Sequence, residues 1–264
     1  MGMADKMLFG KSCGILNTLL MSPNPFEMLQ LLKRLARFWK EQGHPRLMSF
    51  VATAGFVWLG VCLILLLGLA QLAEEVLEQE AFAFDEAILL WIHQFSHPWL
   101  DQIMLMITRL GNPSVVIPLT FIGLGWLLRQ RKWRIAAIFA LNCVGGAVLS
   151  TGLKVFFGKP RPQLWPQLIT ETTYSFPSGH ALGSMVLYGF SSYLLAQQFP
   201  MQRRWIYGVA TLLIGGIGFS RLYLGVHWPT DVIAGYSVGF LWISVCIGLL
   251  RLEARFMAVA SRRN

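Results

Sequence analysis

Residues 205–250 read WIYGVATLLIGGIGFSRLYL, GVHW and PTDVIAGYSVGFLWISVCIGLL, two apolar runs joined by a short turn. A hydrocarbon core of about 30 Å takes about 20 apolar helical residues, so Trp205–Leu224 and Pro229–Leu250 each predict a membrane-crossing helix. Into this hairpin the chain places Arg221, His227 and Asp231. Ionisable groups at a membrane boundary are costly and are retained for function, which makes the turn the first candidate for chemistry.

Four more apolar runs lie upstream, at Leu47–Ala73, Pro113–Leu128, Ile135–Leu153 and Ala181–Phe199. The expected fold is therefore all-α, a polytopic bundle of six transmembrane helices with extra interfacial helices. Composition agrees: 55% of the 264 residues are hydrophobic and 13% charged, against roughly 25% charged in soluble domains. The formal charge of +9 sits in clusters between the runs, which argues against a nucleic-acid surface. Cytoplasmic loops favour Lys and Arg. The clusters at residues 1–46, at Arg129, Arg131, Lys132 and Arg134, at Arg203 and Arg204, and after Arg251 all fall on one side. They place both termini in the cytoplasm. The opposite side receives an acidic first loop (Glu74, Glu75, Glu78, Glu80, Asp85, Glu86) and the two loops that hold Lys154, Lys159, Arg161 and Arg221, basic residues on the side that the rule leaves poor in positive charge.

Three regions follow: a cytoplasmic segment at 1–46, a six-span domain at 47–250 and a basic cytoplasmic tail at 251–264. Within the first, Asn24-Pro25-Phe26-Glu27 carries capping signals, and Met28, Leu31, Leu32, Leu35 and Trp39 share one face of an amphipathic helix. That helix is expected on the cytoplasmic leaflet. Asp85–Arg109 mixes apolar residues with His93, His97 and Asp101 and predicts helices against the outer leaflet. Cys13, Cys62, Cys143 and Cys246 lack CxxC spacing, which disfavours a disulfide framework or zinc site. The first twenty residues lack a clean apolar block before a small-residue cleavage site, so no secretory signal peptide is expected.

Three constellations carry the chemistry. Lys154 and Arg161, in KVFFGKPRP, converge where the third span emerges, and a guanidinium fork with a compact ammonium suits phosphate oxygens. Read alone, the pair also fits snorkelling or headgroup contact. Phe176-Pro177-Ser178-Gly179-His180 opens the fourth span. There the free N–H groups of a helix start, the Ser178 hydroxyl and the open Gly179 backbone can hold an anion, and His180 can donate a proton to a leaving oxygen or simply cap the helix. His227 and Asp231, four residues apart, let a carboxylate accept from one ring nitrogen and leave the other to attack, or form a structural ion pair.

Together, KxxxxxxRP at Lys154–Pro162, PSGH at Pro177–His180 and SRxxxxxHxxxD at Ser220–Asp231 resemble the signature of the type 2 phosphatidic acid phosphatase family. All three motifs occur in order, and the resemblance spans about residues 80 to 250. It implies a membrane lipid phosphate phosphatase in which His227 attacks phosphorus and becomes phosphohistidine, Asp231 orients it, and His180 protonates the leaving group. Lys154, Arg161, Ser178, Gly179 and Arg221 would bind phosphate. No cofactor or metal is expected, because the motif regions offer only Glu171 and Asp231 as carboxylates.

The expected partner is a lipid phosphate from the membrane, such as phosphatidic acid, phosphatidylglycerol phosphate or undecaprenyl diphosphate, with no nucleic acid and no obligate protein partner. Transfer of the phosphoryl group to another acceptor would use the same site. Vanadium haloperoxidases share the phosphate-site pattern, but the six spans argue against them. A non-catalytic lipid-binding protein or a transporter would leave the His180, His227 and Asp231 trio unexplained. Headgroup selection is expected from the acidic loop and from Trp165, Tyr174 and Tyr223. The expected location is a bacterial-type plasma membrane, with the site on the periplasmic or extracellular face.

Overall fold

A computed structural model describes residues 56–77 and 83–261. The chain divides into two units, Met1–Val61 and Cys62–Asn264, and the packing below is that of the second. The amphipathic helix expected at 24–40 lies outside the described residues. Among the described residues every regular element is helical. In chain order they are α1 (Phe56–Leu77), α2 (Ala83–His93), α3 (Pro98–Arg109), α4 (Pro113–Arg129), α5 (Trp133–Phe157), α6 (Gly179–Ser184), a π turn (Met185–Gly189), α7 (Phe190–Gln198), a short 3₁₀ turn (Pro200–Gln202), α8 (Arg203–Tyr223) and α9 (Pro229–Ser261).

Five helical stretches are long and apolar enough to cross a membrane: Trp58–Leu77, Pro98–Arg129, Trp133–Phe157, Pro200–Tyr223 and Pro229–Leu252. The run expected at Ala181–Phe199 is helical too, but the π turn divides it into pieces, so no single long helix stands there. α3 and α4 form one apolar stretch with a break at residues 110–112. The tail expected from 251 begins inside α9, which continues to Ser261.

Proline and glycine set the boundaries that matter. Pro98, Pro113 and Pro229 open α3, α4 and α9, where a missing N–H costs nothing and a fixed φ suits the first turn. Gly158 ends α5 in the left-handed region at φ 58°, and its N–H closes on Lys154 O at 3.0 Å. That turn sends the chain back past the end of α5, so Lys159 and Arg161 return toward Lys154.

The core lies between α5, α6, α7 and α9, built from Phe139, Leu182, Val186, Phe190, Ile243 and Cys246. Within it Asn142 Nδ2 donates to Val186 O at 2.9 Å and Trp242 Nε1 donates to Asn142 O at 2.9 Å, tying α5 to the π turn and to α9. Small residues let the helices meet closely, the usual device where lipid offers no hydrophobic gain from association. At Gly235 a methyl group would lie 2.6 Å from Ser178 O and 3.0 Å from Ala181 Cβ. This approach puts the start of α6 on the first turns of α9, where Ser178 N–H donates to Asp231 O at 2.9 Å. The C-terminal end of α5, the start of α6, the end of α8 and the start of α9 thus gather at one end of the bundle. Lys132, Arg203 and Arg204 belong to the other helix ends, and Arg251, inside the C-terminal part of α9, donates from Nε to Tyr193 Oη at 3.4 Å.

Overpacking a close contact costs about 1–3 kcal/mol, and at about 2–4 °C per kcal/mol Gly235→Ala is expected to lower the thermal midpoint of the detergent-solubilised protein by several degrees. Gly215→Ala, where nothing lies within 4 Å, should leave the midpoint unchanged or raised.

Candidate active site

His227 is buried in the turn between α8 and α9. Gly225, at φ 68°, turns the chain there with Trp165 packed against it, so a side chain would be both strained and crowded. Arg161 Nη1 lies 3.2 Å from His227 Nε2. A guanidinium has only donors, so Nε2 carries the lone pair and the ring proton sits on Nδ1. Nδ1–H faces Asp231 Oδ2 at 3.4 Å and Ser175 Oγ at 3.3 Å. Burial pushes the imidazole down to about 4, against the opposing hydrogen bond and charge of Asp231. The ring is therefore neutral at pH 7, with an unprotonated nitrogen beside a cation.

Asp231 is fully buried, and its two oxygens are shared among several donors. Oδ2 accepts from the Ser175 hydroxyl at 2.5 Å and from Trp228 N–H at 2.9 Å, and Oδ1 accepts from Lys159 Nζ at 3.0 Å. The bond to Trp228 N–H is the return half of a capping box, with Asp231 at the third position of α9.

Around His227 stand the cations. Arg161 is fixed by Thr173 O at 2.8 Å and Val226 O at 2.7 Å, besides His227. Lys154 donates to Tyr174 O and, at 3.4 Å, to Thr173 Oγ1. Arg221, fully buried on α8, donates to Thr108 Oγ1 at 2.7 Å and pairs with Glu171, while its Nε has no hydrogen-bond partner among the described residues. Burial raises the Glu171 carboxyl, but the Arg221 guanidinium outweighs it and holds that group below its ordinary range. Ser178 Oγ is likewise buried with no hydrogen-bond partner among the described residues. Gly179 brings the start of α6 against α5, since a methyl there would meet Ser150 Oγ at 3.3 Å and Lys154 Cε at 3.4 Å. His180 Nε2–H donates to Asn112 Oδ1 at 2.6 Å, at the junction of α3 and α4. A cavity of about 550 Å³ opens beside these groups, lined by Thr151, Lys154, Val155, Lys159, Arg161, Glu171 and Thr173 among others.

Lys154, Arg161, Ser178, Gly179, His180, Arg221, His227 and Asp231, all named from sequence, thus belong to one end of the bundle. Such an arrangement can bind a tetrahedral oxyanion, present Nε2 to it and move protons. Sequence reasoning missed Ser175, Asn112, Thr108 and the pairing of Lys159 with Asp231, which join positions far apart in the chain and leave no local pattern. It also expected Asp85 to select headgroups. Asp85 is instead buried against Thr230, where burial pushes its carboxyl up against the opposing hydrogen bonds of Thr230 and the charge of Lys159. Tyr223, expected in the same role, is buried and donates to Asp101 Oδ1 at 2.6 Å. Trp165 stacks on His93 with centroids 4.0 Å apart.

The sequence model of the PAP2 superfamily matches residues 131–254. Phosphatidylglycerophosphatase B of Bacillus subtilis is 33% identical over 176 residues, which cover 65% of this chain and 86% of that relative. Undecaprenyl-diphosphatase of Sulfolobus acidocaldarius is 35% identical over 150 residues, 55% of this chain and 68% of the relative. Among solved structures, the transmembrane PAP2-type phosphatidylglycerolphosphate phosphatase of Bacillus subtilis superposes with a TM-score of 0.66 at 31% identity, covering 72% of this chain and 96% of that one.

Inorganic phosphate is expected to raise the thermal midpoint of the solubilised protein. A hydrogen bond to a charged group contributes about 1.5–3 kcal/mol, so Lys154→Ala should weaken phosphate roughly tenfold or more in a thermal-shift titration. Equal midpoint shifts in both proteins would remove Lys154 from the anion site.

Proposed function

The chain belongs to the PAP2 superfamily and is a multi-pass membrane phosphatase of that family, and we propose that it hydrolyses a lipid phosphomonoester or diphosphate through a phosphohistidine on His227. The observation that carries this reading is the placement of the buried His227 ring, with Nε2 against the Arg161 guanidinium and Nδ1 turned to Asp231 and Ser175.

In the first step the Nε2 lone pair attacks phosphorus and the bond from phosphorus to the leaving oxygen breaks. With the phosphate bound His180 is the imidazolium, its Nε2–H held by Asn112 Oδ1, and it gives that oxygen the proton on Nδ1, a role worth about 10²–10⁴ in rate. As Nε2 is phosphorylated the ring becomes cationic, and Asp231 holds its Nδ1–H. Lys154, Arg161 and Arg221, with Ser178 Oγ and the Gly179 N–H, hold the phosphoryl oxygens, where fixed donors in a water-poor site act most strongly. A water, deprotonated by His180, then attacks phosphorus, the P–N bond breaks, and inorganic phosphate leaves. The cationic cradle carries the charge stabilisation that a divalent ion supplies elsewhere. Among the described residues no group of three His, Cys, Asp or Glu side chains is placed to hold one.

The substrate reaches the site from the membrane. Val155 lines the cavity and is exposed on α5; with that face toward lipid, acyl or isoprenyl chains stay in the leaflet while the phosphate enters. The lipids named for the two relatives above, phosphatidylglycerophosphate and undecaprenyl diphosphate, are the leading candidates, with phosphatidic acid. α1, α4, α5, the run from α6 through α7, α8 and α9 make six crossings, with α2 and α3 at the outer interface. Both termini lie in the cytoplasm. The site end carries the outward loops, and the basic turns at 129–134 and 203–204 face inward, as the distribution of Lys and Arg favours.

Short-chain phosphatidic acid assayed in a chelator should release phosphate with wild type, and removal of the nucleophile by His227→Ala should cost about 10³-fold or more. Equal rates, or activity only with added magnesium, would overturn the mechanism.

The pH profile follows from the ring. The reactive form is unprotonated, and a depressed value keeps it so to lower pH, so kcat/KM should hold on acidification and fall only near the ring's value of about 4. The limb must be shared by substrates whose phosphate groups titrate differently. A shared limb near 6.5, the value of an unperturbed imidazole, would contradict the buried neutral ring.

A further inference from the structure

Asp85 belongs to none of the motifs and sits on α2, 145 residues from Thr230 in sequence. It is nevertheless buried, and both of its oxygens are engaged by one residue of the reacting turn. Oδ1 accepts from Thr230 N–H at 3.0 Å and Oδ2 from Thr230 Oγ1 at 2.6 Å.

The amides at the start of α9 explain the need. Trp228 occupies the capping position, where Ser, Thr, Asp or Asn would accept from an amide of the first turn. Its indole has no acceptor and donates instead to Pro160 O at 3.2 Å. Trp228 N–H goes to Asp231 Oδ2, Asp231 N–H goes to Trp228 O at 3.0 Å, and Pro229 has no N–H. Thr230 N–H is left, and Asp85 takes it from another helix.

The same carboxylate shapes the charge on Asp231. Lys159 Nζ lies 3.0 Å from Asp231 Oδ1 and 4.0 Å from Asp85 Oδ2, and it donates to Thr230 Oγ1 at 3.1 Å. Without Asp85, more of the Lys159 charge would fall on Asp231 and weaken its hold on the His227 imidazolium. We infer that Asp85 is a positioning residue of the active site, capping α9 from α2 and sharing Lys159 so that less of that cation's charge offsets Asp231 at His227. The inference rests on His227 being the nucleophile.

The test compares Asp85→Asn, Lys159→Met, the double variant and His227→Ala in purified full-length protein, with thermal midpoints, kcat and KM on short-chain phosphatidic acid. Asn can still accept from Thr230 N–H but carries no charge. Asp85→Asn should lower kcat about tenfold to a hundredfold, the usual effect of removing a group that orients a functional ligand, with KM within about twofold. The double variant should recover part of that loss, because Lys159 no longer cancels Asp231. If Asp85→Asn does not fold, Thr230→Val reports the same link: kcat should fall at constant KM, and Thr230→Ser should restore it. Folded Asp85→Asn with wild-type kcat, or losses that multiply in the double variant, would overturn the positioning role. If His227→Ala is inactive in the same series, only that role falls; if His227→Ala is active, the nucleophile reading falls with it.

Discussion

The carboxylate of Asp231 is the group on which the site depends. A buried carboxylate costs several kcal/mol unless its oxygens are paired, and here the partners come from two loops: Lys159 and Ser175 from the connection between α5 and α6, and His227 and Trp228 from the turn before α9. Its backbone carbonyl also receives Ser178 N–H. The anion therefore draws the three motif-bearing segments to one point, and the glycines at 235, 179 and 158 let the backbones come close enough to reach it. Packing and electrostatics are one constraint at this end of the bundle.

The second feature is the unlike charge around His227. Like charges about 4 Å apart at an effective dielectric near 20 repel by about 4 kcal/mol, so a cluster of Lys154, Arg161 and Arg221 has to be balanced. Glu171 supplies one counter-charge to Arg221, and strap carbonyls at residues 173 and 174 take donors from Lys154 and Arg161. A phosphate dianion meets the same donors with a better match in shape and charge. In the proposed mechanism, binding it would exchange internal acceptors for the substrate's oxygens and shield the attacking nitrogen from bulk water.

Much of this is legible in the sequence for a physical reason. Membrane helices announce themselves by continuous apolar length, and ionisable residues at their boundaries stand out against it, so Arg221, His227 and Asp231 are conspicuous from residue type and position alone. The contact of Asp231 with His227 is readable because the two lie one helical turn apart. Pairing across long separations is not readable in the same way. Asp85 reads as one member of an acidic loop, since burial of a single carboxylate leaves no periodic trace. Lys159 reads as one more basic residue of its loop, while Ser175 and Asn112 carry no signal of their own. The π turn at Met185–Gly189, whose Val186 carbonyl accepts from Asn142, is also invisible in an apolar stretch.

The most direct measurement is the covalent state of the enzyme during turnover. Rapidly quenched protein digested under alkaline conditions should carry a phosphoryl group on Nε2 of His227, stable to base and lost in acid, and its amount should rise and decay at rates that support turnover. Turnover with no phosphoenzyme, or a phosphoryl group on any other residue, would contradict the account.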